Sequence, residues 1–402
     1  MKKILILGAS DDQIRLIKTS KDLGYYIVDC DFTTTNPGLP LVDKHYQIDY
    51  TSKDRVLAVA KKENIQGVIS NSEQAMPTVA YVAENLNLIG NSLESIEKLA
   101  DKTKFRFLQG KAGVFYPKHF EVSSCDEVLD KIVNMHLPVL IKACECSATR
   151  GTFKIESYDK DRIVEAFQES KNQSWNNRVA LEEYVEMPSM TTYEGDIFIC
   201  GDLFIWDGMF YTQRSSFAPM IPMTYSGPLN EGDPHKKAIK EVLKKLFKEA
   251  GIRHGQYNVE LYFTRYNKPF VIEINTRQGG RNIPEFINEY SGVNLTRLLV
   301  STCMGEMDLI NNYVEGFHKP HYISHHLIFP HQDGRFCGFH INNEILPYVK
   351  LKNIDCGRGD QLHKSVNGTD VIGYVDFEFP DKETRNAYAF NIEDHAYIKY
   401  QL

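Results

Sequence analysis

Glu260, Glu273, Asn275 and Arg277 are the residues of this 402-residue chain whose types and spacing speak first of chemistry. They lie in the run Asn258-Val-Glu260-Leu-Tyr262-Phe-Thr-Arg-Tyr-Asn-Lys-Pro-Phe-Val-Ile-Glu273-Ile-Asn275-Thr-Arg277, which reads as two alternating strands about a turn at Thr264 to Lys268. If that turn is centred between Tyr266 and Asn267, Glu260 stands directly opposite Glu273, with β-carbons roughly 4.5 to 5.5 Å apart, and Asn275 follows on the same face. Opposed carboxylates repel, so such a pair implies a cation or a shared proton between them. Magnesium is the natural cation, because it takes hard oxygen ligands from one or two carboxylates and from nucleotide phosphates, and an Asn carbonyl oxygen suits the same shell. The plain alternative is a different register that leaves both Glu side chains in solvent.

The elements that must position this hairpin follow from the periodicity, and together they predict an α/β and α+β protein. Residues 1–98 alternate strands and helices: Ile4 to Leu7, a helix from about Asp11 to Leu23, Tyr25 to Cys30, Tyr46 to Asp49, a helix, Gly67 to Ser70, and a helix. That pattern predicts a parallel, Rossmann-like α/β domain. Gly8-Ala9-Ser10-Asp11-Asp12-Gln13 sits where a dinucleotide fingerprint would, with Asp31 after the second strand, but the glycines that let a backbone approach a pyrophosphate are missing, which argues against a nicotinamide or flavin site. Residues 99–310 hold most of the candidate chemistry, with helix Leu93 to Ala100 before them, a strand-turn-strand pattern around Pro138 to Ile155, and a helix from about His235 to Ala250. Residues 311–402 read as a small C-terminal α+β domain with strands His326 to Pro330, Arg335 to Ile341 and Tyr374 to Phe379 and a hairpin signal at Gln332-Asp333-Gly334.

Composition narrows the function classes. A net charge of -7 with interspersed signs argues against a nucleic-acid partner, and no apolar run reaches the length of a membrane span. The apolar run after Met1 ends at Gly8, too soon for a signal-peptide core. Eight cysteines without paired CxxC spacing fit reduced thiols in the cytoplasm, and the histidines from His318 to His340 lack a metal-ligand spacing.

The hairpin and the motifs before it resemble the ATP-grasp superfamily, in which a Glu and a Glu-x-Asn on adjacent strands hold the magnesium ions of ATP. Arg277 matches the family's Asn-x-Arg, and Gly279-Gly280 with Ile283-Pro284-Glu285 resembles its carboxylate-amine, L-amino-acid ligase-like branch. The resemblance covers roughly Lys2 to Gly305 and implies a pre-ATP-grasp domain, then a two-subdomain ATP-grasp fold with its lid at about 115–186. It implies nucleotide contacts from Lys102 at the head of a helix, Lys142 at the end of strand Pro138 to Ile141, and Arg150-Gly151 in the lid loop. Glu182 would accept from the adenine amine, and the backbone of Glu183, Tyr184 and Val185 would read the ring edge. Outside that resemblance Lys102 is an ordinary surface lysine, and Tyr262, expected against the adenine face, is equally a core aromatic. The lid loop Cys144 to Thr149 departs from the pattern in having no glycine, with Ser147 and Thr149 as hydroxyl donors in their place.

The resemblance implies an enzyme using ATP and Mg2+, with Mn2+ able to substitute, that makes an acyl phosphate from a small-molecule carboxylate and passes it to an amine. Arg277 would face the phosphoryl group or the carboxylate; Arg214, in the loop between Gly208 and Tyr225, and Arg281 are candidates to hold the acceptor or the acyl phosphate, each otherwise a solvated arginine. The rival readings are a carboxylase-type enzyme using bicarbonate and an ATP-binding regulatory protein that has lost turnover. A homodimer is compatible with all three.

Overall fold

The computed structural model describes residues 1–146, 151–215, 217–280, 282–313, 321–366 and 368–401. The strands Lys3–Leu7, Tyr26–Asp31, Lys44–Gln47 and Gly67–Ile69 form a wholly parallel sheet in which Lys3–Leu7 lies between Tyr26–Asp31 and Gly67–Ile69. Its central strand is a continuous apolar run because it is buried on both faces, and Ile4 to Leu7 are fully enclosed. Gly8 then turns at a φ of 91°, and Asp31 Oδ2 accepts from Ala9 N–H at 2.8 Å and from Asn36 Nδ2 at 2.6 Å. Asp31 is spent on holding this turn closed, so the acid that a dinucleotide ribose would need is already engaged.

Two antiparallel sheets follow. The smaller has the order His119–Val122, Val179–Glu183, Val139–Ala143, Thr152–Ile155, and packs its apolar face on the helices Cys125–Ile132 and Lys160–Gln173. The larger has eight strands in the order Pro269–Asn275, His254–Phe263, Thr191–Cys200, Leu203–Ser215, Ala218–Gly227, Tyr322–Leu327, Gly373–Phe379, Val349–Ile354. The amphipathic helix Lys236–Ala250, closed by Gly251 in the left-handed region at φ 78°, seals one face of this sheet, and the helices Ile283–Ser291 and Leu295–Cys303 pack on the other. This mixture of a parallel unit and antiparallel sheets matches the expected fold class.

Two expectations need correction. Gln332-Asp333-Gly334 does not close a hairpin: Tyr322–Leu327 pairs within the eight-stranded sheet, whereas Gly334–Ile341 pairs with Gln361–Leu362 and Ala396–Gln401 in a separate three-stranded sheet. The turn residues are real, but the strands they join part company to cover different apolar faces. Nor is the stretch between Gly208 and Tyr225 an open loop; its described residues fall almost wholly in two long strands, Leu203–Ser215, which holds Arg214, and Ala218–Gly227. Strands from both sides of the expected boundary at 310/311 share one sheet.

Candidate nucleotide and substrate site

The strands His254–Phe263 and Pro269–Asn275 bring Glu260 opposite Glu273 and Asn258 opposite Asn275. The expected register is reached by another route, because the ladder nearest the turn is centred on Tyr266, and Ile272 is an extra residue that restores the pairing beyond it. On its other side Glu260 pairs with Glu194 and Asn258 with Asp196, both on Thr191–Cys200. One sheet face therefore carries a row of three carboxylates, Glu194, Glu260 and Glu273, beside a row of Asp196, Asn258 and Asn275.

Hydrogen bonds tie these rows together. Asn275 Nδ2 donates to Glu273 Oε1 and to Asn258 Oδ1, each at 3.2 Å, and Asn258 Nδ2 donates to Asp196 Oδ1 at 3.1 Å. Asp196 is fully buried and accepts from Gln256 Nε2 at 2.7 Å and from Gly279 N–H at 3.0 Å. Burial still pushes its carboxyl up, and burial likewise raises Glu194 to about 7. Asp196 thus anchors the first of the two glycines that follow Arg277.

Arg214 is 4% exposed and forms an ion pair with Glu260, while its Nε donates to Thr192 Oγ1 at 3.4 Å and its Nη1 to the Pro219 carbonyl at 3.3 Å. It is a buried counter-charge to the acidic row, not a solvated arginine. Arg277 extends from the end of the hairpin to Glu73 of the parallel unit, Nη2 to Oε2 3.4 Å. Burial works against its charge, but Glu73 and Glu273 outweigh burial and hold it above the usual arginine range.

The opposing sheet supplies cations. Lys142, 5% exposed at the inner end of Val139–Ala143, pairs with Glu182 of Val179–Glu183. Glu182 also accepts from Arg106 Nε at 3.0 Å. Burial works against the charge of Glu182, yet Arg106 and Lys142 hold its carboxyl down at about 2, while burial lowers the Lys142 ammonium and Glu182 opposes that fall. Both Glu182 oxygens are engaged, so in this arrangement its carboxylate serves Lys142 and Arg106 before any adenine amine. Lys102 is the first residue of the helix Lys102–Lys111, which Asp101 caps by accepting from Thr103 and Lys104 N–H. Burial lowers the Lys102 ammonium, but Cys146, Glu273 and Glu73 together keep it above the usual lysine range.

Two clefts meet at the hairpin. One, of about 870 Å³, lies between the sheets and is lined by Lys102, Lys142, Glu182, Tyr184, Val185, Tyr262 and Phe270. The other, open and of about 1700 Å³, is lined by loops of the parallel unit, including Asp12 and Glu73, and by Glu194 and Trp175. Glu260, Glu273, Asn275 and Arg277 line both. Tyr262 is 5% exposed and its hydroxyl donates to the Val185 carbonyl, so it is at once a wall of the first cleft and a strut for the segment beyond Val179–Glu183. Glu183 does not line that cleft; its carboxylate accepts from His136 N–H at 2.9 Å, and its own N–H and that of Tyr184 are spent on the carbonyls of Lys118 and Pro138. Gly151 returns the lid loop to its strand at a φ of 60°, where a Cβ would lie 2.8 Å from that of Gln173. Ser147, Thr149, Arg150 and Arg281 lie outside the described residues.

Among the described residues no group of three or more His, Cys, Asp and Glu side chains is arranged to hold a metal ion by itself. The donors facing both clefts are two carboxylates and an amide, a set of hard oxygens that fits a magnesium ion sharing its shell with phosphates. Two site features escaped the sequence reading. Arg106 lies four residues after Lys102, hence on the same helix face, and Glu194-x-Asp196 repeats the period-two polar pattern of Glu273-x-Asn275.

The chain matches no protein-family profile. Over 321 residues it is 24% identical to the carbamoyl phosphate synthase large chain of Clostridium beijerinckii, covering 76% of this chain and 29% of that one. It therefore spans less than a third of the length of that curated relative. Its fold is similar to the crystal structure of L-amino acid ligase from Bacillus licheniformis, with a TM-score of 0.79 and 18% identity over 100% of this chain and 99% of the other. It is also similar to phosphoribosylglycinamide synthetase from Anaerococcus prevotii, with a TM-score of 0.69 and 20% identity over 100% of both chains. With a parallel unit ahead of two antiparallel sheets that enclose a cation-lined cleft, the chain shares the fold of these two solved enzymes.

Proposed function

We propose that this protein is an ATP-dependent carboxylate-amine ligase, which activates a carboxylate as an acyl phosphate, joins it to an amine and releases ADP and phosphate. The observation that carries this reading is the shared wall of the two clefts. Glu260, Glu273, Asn275 and Arg277 stand where a narrow, partly apolar cleft with lysines meets a wide polar one. A nucleotide in the first would direct its γ-phosphoryl group toward a carboxylate in the second.

The residues then have definite tasks. Tyr262, Phe270 and Leu140 offer apolar walls to the base, with Val185 at its edge. Lys142 and Lys102 offset phosphate charge, and Glu182 with Arg106 fixes where Lys142 points. Glu260, Glu273 and Asn275 would hold Mg2+, which supplies charge neutralisation for the transferring phosphoryl group. Arg277 reaches the cleft junction and holds the substrate carboxylate or the acyl phosphate. Catalysis on this plan is positioning and charge compensation, so no nucleophilic side chain is required. The L-amino acid ligase that shares the fold carries by its name the same class of reaction.

ADP release measured with ATP, Mg2+ and pairs of amino acids and small carboxylates tests the reading. It should require both partners of a pair, and mass spectrometry should show an amide. ADP release with bicarbonate alone, or none with any pair, would overturn it.

A further inference from the structure

The wide cleft has walls of two kinds. On the parallel unit it is lined by the loops that follow Lys3–Leu7 and Gly67–Ile69, which present Asp12, Asn71 and Glu73. Away from Arg277 its lining turns apolar, with Met220, Pro222 and Tyr225 of Ala218–Gly227 and Ile283, the first residue of Ile283–Ser291. A thioether, a proline ring and a branched aliphatic chain offer no strong hydrogen-bond donor or acceptor.

Two lines of contact join these residues to the reacting end. Arg277, Gly280 and Ile283 line the cleft in succession, and Gly279 between them has no room for a side chain: a Cβ there would lie 2.7 Å from Ile283 Cγ2 and 3.0 Å from Asp196 Oδ1. Ile283 therefore abuts the backbone that Asp196 anchors. On the sheet side, Arg214 is ion-paired with Glu260, stands opposite Pro222 in the register and donates to the Pro219 carbonyl, so Met220 begins where the acidic row ends. Met220 is half-buried and lines the nucleotide cleft as well, which brings its side chain to the junction of the two. Behind this wall Tyr225 and Ile283 belong to one apolar cluster. Tyr225 packs edge-on against Phe210 at 5.3 Å, and Phe210 against Phe286, one turn on from Ile283, at 5.6 Å.

We infer that Met220, Pro222 and Ile283 set the specificity of the reaction by receiving the side chain of the carboxylate substrate, which is therefore apolar. This rests on the ligase reading, which places the carboxylate in this cleft with its reacting end at Arg277. It adds the character of the group that the carboxylate is attached to. A polar side chain seated on this wall would lose its water and gain no partner, whereas an apolar one gains by burial.

L-methionine and L-glutamine have side chains of nearly equal length and opposite polarity. With ATP, Mg2+ and hydroxylamine as the amine, ADP release should favour L-methionine by at least about tenfold in kcat/KM. Met220→Gln, which keeps the length of the side chain and makes it polar, should cut that preference at least about threefold, and Met220→Leu should keep it. Binding gives a second readout that needs no turnover. With Mg2+ and the non-hydrolysable nucleotide AMP-PNP present, L-methionine should raise the Tm of the native protein more than L-glutamine does, and Met220→Gln should narrow the gap. An equal response to the two acids, including none to either, would overturn the inference. So would a preference that Met220→Gln leaves whole, one that Met220→Leu loses as fully, or an effect of Met220→Gln confined to the KM for ATP. If binding favours L-methionine through Met220 while no pair of substrates releases ADP, the specificity stands and the ligase reading falls. Ligation that favours L-glutamine gives the reverse.

Discussion

Arg106 holds the one irregular position of the hairpin that faces Glu260 with Glu273. Leu261 pairs with Val271 but Glu260 pairs with Glu273, so Ile272 has no partner on the neighbouring strand. The turn, with Thr264 N–H bonded to the Lys268 carbonyl at 3.0 Å and Asn267 at a φ of 55°, would by a regular ladder have set Glu260 opposite Ile272. The guanidinium of Arg106 donates to the Ile272 carbonyl at 3.0 Å and to that of Val271 at 3.4 Å, while its Nε holds Glu182. One buried side chain thus fixes the bulge that aims Glu273 and the carboxylate that aims Lys142.

Arg106→Met should therefore destabilise the fold by about 3 to 5 kcal/mol, since it breaks a buried ion pair, takes the donor from one Glu182 oxygen and takes the guanidinium from the Ile272 carbonyl. Lys142→Met, which leaves Glu182 its bond to Arg106, should cost clearly less in urea unfolding yet weaken nucleotide turnover at least as much. Equal unfolding midpoints for the two variants would contradict the central place given to Arg106.

Glu273→Gln keeps the shape of the side chain and removes one of two opposed charges. Its melting temperature should stay level or rise, because the cross-strand repulsion is relieved. ADP release should fall at least roughly a hundredfold, with a metal ligand lost. Full activity in this variant would contradict the site assignment.

Removal of divalent metal gives a complementary test. With EDTA, ADP release should stop, and Mg2+ or Mn2+ should restore it while Ca2+ supports binding more than turnover, because Ca2+ prefers a larger and looser oxygen shell. Turnover in EDTA would exclude the proposed role of the carboxylate pair.

Acid should weaken the fold well above the carboxylate range. Burial lowers His254 to about 4 and His326 to about 3, against an ordinary value of 6.5. Their neutral forms are favoured in the folded state, so the stability they contribute is full above 6.5 and is lost as the pH falls from there toward the folded values. At pH 5 each should have forfeited about 2 kcal/mol. Urea midpoints compared at pH 7.5 and 5 should fall for the native chain, and by less for His326→Asn. An identical fall in the variant would exclude the histidine as a source.

The sequence by itself determined the parts whose geometry is set by near neighbours along the chain. A period-two pattern puts Glu260 on one strand and Glu273-x-Asn275 on the next, with the bulge at Ile272 that brings them to one face held by Arg106 from outside the hairpin, and Asp101 capping a helix puts Lys102 at its head. The parallel unit was legible for the same reason, since it rests on apolar runs. Tertiary structure alone decided what stands across from those faces. Thr191–Cys200 and Leu203–Ser215 are buried on both sides and carry polar residues inward, so they lack the alternation that marks a strand in sequence, and Arg214 was placed in an open segment. Whether Glu182 meets an adenine amine or Arg106 and which sheet Gly334–Ile341 joins both depend on segments many residues away. Side-chain direction is a local property of φ and ψ, whereas the partner of a buried charge is chosen by the packing of the whole chain.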